Sequence, residues 1–130
     1  MTAPLPTPRA GLPARARLRT PRDFQRVYQR GLRTAGALVT VVALRRHGGG
    51  GARLGVSVSK EHGAAVRRNK LKRLLREAFR LERKHLPADF DLVLIPRPRE
   101  GKLQLEVLRA ELLALVARIA AGEGRRSRPR

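Results

Sequence analysis

Between Val66 and Lys84 the chain sets nine cations against two acids, on a stretch whose apolar residues recur at helical spacing. At about 100° per residue with Leu71 at zero, Leu74, Leu75, Ala78 and Phe79 fall within roughly 80° of it and form one core-facing seam. Lys72, Arg73, Arg76, Arg80 and Arg83 gather on the opposite side in an arc of roughly 100°, with Asn69 in its middle and Arg68 and Lys70 on its borders. Such a helix buries one face and offers the other to solvent or to a polyanion. Like charges at i, i+4 (Lys72/Arg76, Arg76/Arg80) destabilise a free helix by roughly 0.2–0.5 kcal/mol each. The two glutamates do not neutralise them. An ordinary solvated helical face mixes both signs, so this one reads as a polyphosphate-binding face. Arginine predominates over lysine, which suits planar, bidentate contact with phosphate oxygens. Asn69 offers donor and acceptor together, suited to fixing a backbone or a 2′-hydroxyl.

The whole chain repeats the imbalance. Its 130 residues hold 30 Lys and Arg against 10 Asp and Glu, a formal net charge of +20. An excess of that size self-repels unless a polyanion relieves it, so nucleic acid is the leading partner. Hydrophobic residues, at 42%, suffice for one modest core, whereas aromatics, at 3%, build no large stacking platform. Cysteine is absent, which excludes disulfides, cysteine-ligated zinc, iron–sulfur clusters and thiol catalysis. No run of about 18 apolar residues provides a transmembrane helix, and the N-terminus lacks the apolar stretch of a signal peptide. A cytoplasmic protein without a membrane partner is expected.

Residues 1–19, rich in proline and arginine and free of acids, read as a flexible basic arm, and residues 122–130 as a flexible basic tail. A single RNA-binding domain is expected over 20–121. Thr20-Pro21-Arg22-Asp23 opens a helix over 21–30, with Thr as N-cap, Pro at N1 and an acid at N3. Residues 37–45 and 52–59 read as strands joined through Gly48–Gly51 into an antiparallel hairpin. Asp89–Pro96 reads as a third, well-buried strand, and Leu105 to Ile119 as an amphipathic final helix. The order α-β-β-α-β-α gives an α+β sandwich, a helix-covered sheet.

Leu54-Gly-Val-Ser-Val-Ser-Lys60, then Gly63, then Ala65-Val-Arg-Arg-Asn-Lys-Leu-Lys-Arg-Leu-Leu-Arg-Glu-Ala-Phe-Arg80 strongly resembles the protein subunit of bacterial ribonuclease P. The short helix bearing Phe24 and Tyr28 before a glycine fits the same family, and the resemblance runs from about residue 17 to about 120. It implies the ribosomal protein S5 domain 2-like fold. It also implies a catalytic RNA subunit that hydrolyses precursor tRNA with magnesium, and a protein, monomeric apart from the RNA, that lowers the magnesium demand. The family's RNA-facing helix maps onto Arg68, Asn69, Lys70, Lys72, Arg73 and Arg76, to which the arc adds Arg80. Its cleft for the single-stranded 5′ leader maps onto Phe24, Tyr28 and Lys60. Two departures stand out. Lys70 replaces the second arginine of the family's Arg-Asn-Arg signature, keeping charge but not the bidentate fork. The first strand, Leu38-Val-Thr-Val-Val42, brings no aromatic to the cleft.

Autonomous cleavage finds little support. Phosphodiester hydrolysis needs clustered carboxylates for metals or paired histidines for acid–base work. His47, His62 and His85 are scattered, and Gly48–Gly51 lacks the Gly-Lys-Ser/Thr of a P-loop. Asp89 and Asp91 share a strand face by the period of two, a conceivable magnesium contact, although solvated strand-edge acids are commoner. No metal is therefore expected on the protein itself. The alternative reading is a ribosomal or general RNA-binding protein with no part in cleavage. A basic membrane-surface protein ranks third, because Phe79 lies inside the apolar seam and tryptophan is absent.

Overall fold

The computed structural model describes residues 12–98 and 101–126. Helix α1 covers Pro21–Arg30, strands β1 to β3 cover Leu32–Ala35, Val39–Arg45 and Arg53–Val56, and helix α2 covers Ala65–Glu82. Strand β4 covers Phe90–Pro96, α3 covers Leu105–Ala120 and β5 covers Arg125–Arg126. The start of α1 is the expected one and is a full capping box. The Thr20 hydroxyl accepts from the Asp23 N–H at 3.1 Å, and the Asp23 carboxylate accepts from the Thr20 N–H at 3.4 Å.

The five strands lie in the order β3-β4-β2-β1-β5. This overturns the antiparallel hairpin expected of β2 and β3, which are not neighbours. β4 lies between them, antiparallel to β2 (Val42 opposite Val93) and parallel to β3 (Leu54 opposite Leu92). The reason is burial. Six of the seven β4 residues are buried, the pattern of a strand covered on both faces, and that strand takes the centre. The Gly48–Gly51 connection accordingly bridges about 10 Å, two strand spacings, rather than making a tight turn. β1, a four-residue strand absent from the sequence reading, pairs with β2 from Leu32 opposite Ala43 to Ala35 opposite Thr40.

Helices α2 and α3 cover one sheet face over a core that includes Leu54, Leu75, Phe79, Leu92, Leu94, Leu108, Leu112 and Val116. α1 covers part of the other, over Leu18, Val27, Val42 and Val93. The result is the α+β sandwich expected.

Contacts with the sheet and core extend beyond residues 20–121. Leu12, Ala16 and Leu18 are buried, Ala14–Ala16 forms a 3-10 turn, and the Leu18 N–H donates to the Leu54 carbonyl at 2.9 Å. Prolines and arginines around these three residues mask their apolar pattern. At the other end Arg125–Arg126 folds back as β5 against Leu32 and Arg33. Residues 1–11 and 127–130, also assigned to the arms, lie outside the described residues.

One side chain fastens the covering layer to the sheet. Glu111 of α3 accepts from the backbone N–H groups of Ala37, Leu38 and Val39 at 3.1, 2.7 and 2.8 Å, tying α3 to the β1–β2 turn.

Candidate nucleic-acid interface

The seam of α2 packs as its periodicity requires: Leu75, Ala78 and Phe79 are buried, and Leu71 and Leu74 pack on the core from its edge. Glu82 belongs to that seam as well. It lies about 20° from Leu71 by helical rotation and is buried, accepting from Arg109 Nε of α3 at 2.6 Å and paired with His85 Nδ1 at 3.0 Å. The hydrogen bond from Arg109 holds its carboxyl below the usual glutamate value against the opposing effect of burial.

Locking that seam inward turns the cationic arc outward. Asn69, Lys70 and Arg73 are exposed, and Arg68, Lys72, Arg76 and Arg80 are half-buried. Several members are already positioned. Arg68 Nε donates to the Gly63 carbonyl at 3.1 Å, and Gly63, at φ 106°, adopts a backbone conformation that suits glycine. Arg80 is gripped in a two-point contact by Glu77 at 2.9 and 2.7 Å. Arg83, counted in the arc from periodicity, is spent elsewhere: it donates to the carbonyls of Ala52 and Gly50 and fastens the glycine connection. Arg76 is lowered from the ordinary arginine value by burial and then by the charge of Arg17. No local pattern in the chain places Arg17 beside the stripe. Burial of Leu12, Ala16 and Leu18 puts it there.

The second candidate surface is the sheet face under α1. Phe24 and Tyr28 lie one turn apart with ring centroids separated by 6.5 Å. Both are half-buried and pack beside Leu44 and Ile95. They are therefore core anchors with one side open. The face carries no strand aromatic, since Thr40, Val42 and Leu44 supply the β2 side chains there, in accord with the sequence. Lys60 is exposed, in the 3-10 turn Lys60–His62 that joins the β3 region to α2. Its place on that connection puts it between the strand of one surface and the helix of the other.

Asp91 is not an edge residue, since β4 lies inside the sheet. It is fully buried on the central strand and bonded to Arg53 at 2.8 and 2.7 Å, to Arg46 at 2.8 Å and to Arg26 at 3.3 Å. Burial alone would raise its carboxyl, but the arginines, Arg53 foremost, hold it below the ordinary aspartate value. Asp89 lies just outside the strand and pairs with Arg45. The two acids thus serve separate arginines rather than one cation. Among the described residues no group of three or more His, Asp or Glu side chains is placed to hold a metal ion, and no helix is long and apolar enough to cross a membrane.

Residues 12–120 match the family model for ribonuclease P. The chain is 42% identical over 113 residues to the ribonuclease P protein component of Desulfovibrio desulfuricans, covering 84% of this chain and 86% of that one. To the same component of Thermotoga maritima it is 38% identical over 109 residues, covering 81% of this chain and 92% of that one. Among solved structures, the Thermotoga maritima protein superposes with a TM-score of 0.70 at 35% identity, covering 78% of this chain and 96% of that one. The Staphylococcus aureus protein superposes with a TM-score of 0.68 at 34% identity, covering 81% and 94%.

Proposed function

The chain belongs to the ribonuclease P protein family, and from that membership we propose how its two surfaces divide the work. As a protein component of ribonuclease P it acts in tRNA 5′ processing, and the RNA subunit of that enzyme is its partner. In our reading the RNA subunit performs the hydrolysis with its own magnesium ions. The protein's Asp89 and Asp91 are committed to arginines, so no catalytic step is assigned to them. The protein works as a monomer on the RNA, in the cytoplasm.

The α2 stripe of Arg68, Asn69, Lys70, Lys72, Arg73, Arg76 and Arg80 faces the RNA subunit. Phosphates crowd where an RNA folds tightly, and each one met by a fixed guanidinium or ammonium no longer needs a condensed counterion. That substitution lowers the magnesium needed to hold the active fold. The face bounded by Phe24, Tyr28 and Lys60 takes the 5′ leader of precursor tRNA. There an open ring edge stacks an unpaired base while Lys60 meets its backbone. The observation that carries the reading is the one-sidedness of α2, whose buried seam commits the helix to displaying its cations.

The test uses labelled precursor tRNA at low magnesium with the protein alone, the cognate RNA subunit alone, and both together. Leader release only in the mixture is expected. Tight RNA binding without stimulation would return the protein to the general RNA-binding class. Cleavage by the protein alone would overturn the assignment of catalysis to the RNA.

A further inference from the structure

On the border of the α2 stripe lies an open groove of about 640 Å³ between the N-terminal half of α2 and the connection from β4 to α3. Its floor is apolar, made by Leu71, Leu74 and Leu103, each packed on the core from its edge. Its rim is cationic, with Lys70 on one side and Arg97 and Lys102 on the other, and among the described residues that line it there is no carboxylate. Val66, at the same mouth, is 68% exposed, the most exposed large apolar residue described. One wall is pinned, because the His62 ring bonds through Nε2 to the carbonyl of Pro96 at 3.2 Å.

An apolar floor under a cationic rim selects a ligand that joins a flat, poorly solvated body to an anion. The size is within the roughly 300–1,000 Å³ of ordinary ligand pockets. A base-paired helix keeps the faces of its bases stacked inside and leaves such a floor empty, whereas an unstacked nucleotide fills floor and rim together. Lys70 belongs both to this rim and to the border of the stripe, so an RNA strand that follows the stripe passes the mouth of the groove.

We propose that this groove receives one unstacked nucleotide of the RNA subunit, its base on Leu71, Leu74 and Leu103 and its phosphate against Lys70, Arg97 and Lys102. The proposal rests on the reading that α2 faces the RNA subunit.

The test measures affinity of Leu103→Ser, Val66→Ser and Arg73→Ala variants for the RNA subunit across a salt series. Losing apolar contact releases no counterion, so Leu103→Ser is expected to weaken binding about tenfold with an unchanged slope of log K on log salt. Val66→Ser, too exposed to threaten the fold, is expected to act in the same direction. Arg73→Ala is expected to weaken binding and make the slope shallower by about one. If both groove variants bind normally while Arg73→Ala does not, the groove proposal fails and the stripe stands. If Arg73→Ala also binds normally, the stripe reading fails with it. In the holoenzyme the preference for precursor over mature tRNA should be unchanged by Leu103→Ser. A selective loss of precursor binding would give the groove to the leader and overturn the assignment. With free protein, adenosine monophosphate should shift the Leu71 and Leu74 methyl resonances. Equal shifts with inorganic phosphate would leave only an anion site and no base pocket.

Discussion

The Phe24 ring lies so close on the backbone of Gly55 that a β-carbon at position 55 would come within 2.6 Å of its Cε2 and Cζ atoms. The glycine of the Leu-Gly-Val-Ser-Val-Ser-Lys segment thus lets Phe24 of α1 settle on β3, and with it sets the depth of the face that Phe24 and Tyr28 border.

Gly55→Ala is expected to destabilise the protein by about 1–3 kcal/mol, the cost of overpacking a filled site. Urea unfolding of a double-mutant cycle checks the cause. In a Phe24→Ala background the Gly55 penalty should largely vanish, whereas simple additivity would show that the ring is not what position 55 excludes.

Phe24→Ala should weaken holoenzyme binding of precursor tRNA by about tenfold while leaving mature tRNA nearly unchanged, the scale of one lost stacking contact. Fluorescence titration of both tRNAs decides it. Equal losses would make Phe24 a core anchor only.

Arg73→Ala and Arg76→Ala should each weaken binding of the RNA subunit with little change in melting temperature. The intact protein should show a slope of log K on log salt of roughly −4 to −6 if five to seven phosphates are met. A slope near −1 would remove the stripe as the main contact. Arg76 carries an extra expectation: removing Arg17 should relieve the repulsion between the two cations, so Arg17→Ala should cost the free protein little and the complex more.

Asp91→Asn should destabilise the fold by about 3 kcal/mol, since it leaves three arginines gathered around a neutral group. The carboxyl titrates lower in the folded chain than its ordinary value of 3.8. The stability it contributes is therefore present above that value and is lost as pH falls through the lower folded value. Thermal unfolding between pH 6 and pH 2 should fall more steeply for the parent than for Asp91→Asn below about pH 4.

Glu111→Ala should cost about 2–4 kcal/mol, because three backbone N–H groups lose a charged acceptor and two of them are partly shielded from water. Hydrogen exchange should then speed up at Ala37, Leu38 and Val39 before the rest of the sheet.

Much of this was readable in the chain because local rules and tertiary packing agree. The Thr20 cap, the seam and arc of α2, the α3 stripe and the buried character of β4 all follow from spacing alone. What was hidden depends on partners distant in sequence. β1 is four residues with a weak pattern, and only β2 and β5 make it a strand. Leu12, Ala16 and Leu18 look like part of a disordered arm until the edge of β3 supplies their contacts. The parallel β3–β4 pairing competes with a plausible hairpin, and the choice turns on which strand is buried on both sides. Asp91 looked like a solvated acid because nothing local reveals that Arg26, Arg46 and Arg53 converge on it. Glu82, by contrast, was within reach, since its angle on α2 already placed it in the seam.

The central position of β4 also bears on the order in which the chain is made. β2 and β3 emerge first and are not neighbours in the sheet: β2 has β1 beside it, whereas β3 joins the sheet only through Phe90–Pro96. Every cation of the α2 stripe is therefore synthesised before the strand that joins the two halves of the sheet. A chain arrested short of Phe90 carries the cations of α2 without the strand that joins β2 to β3. The strand that unites the sheet thus comes late in translation, and it is one of the least charged stretches of the chain.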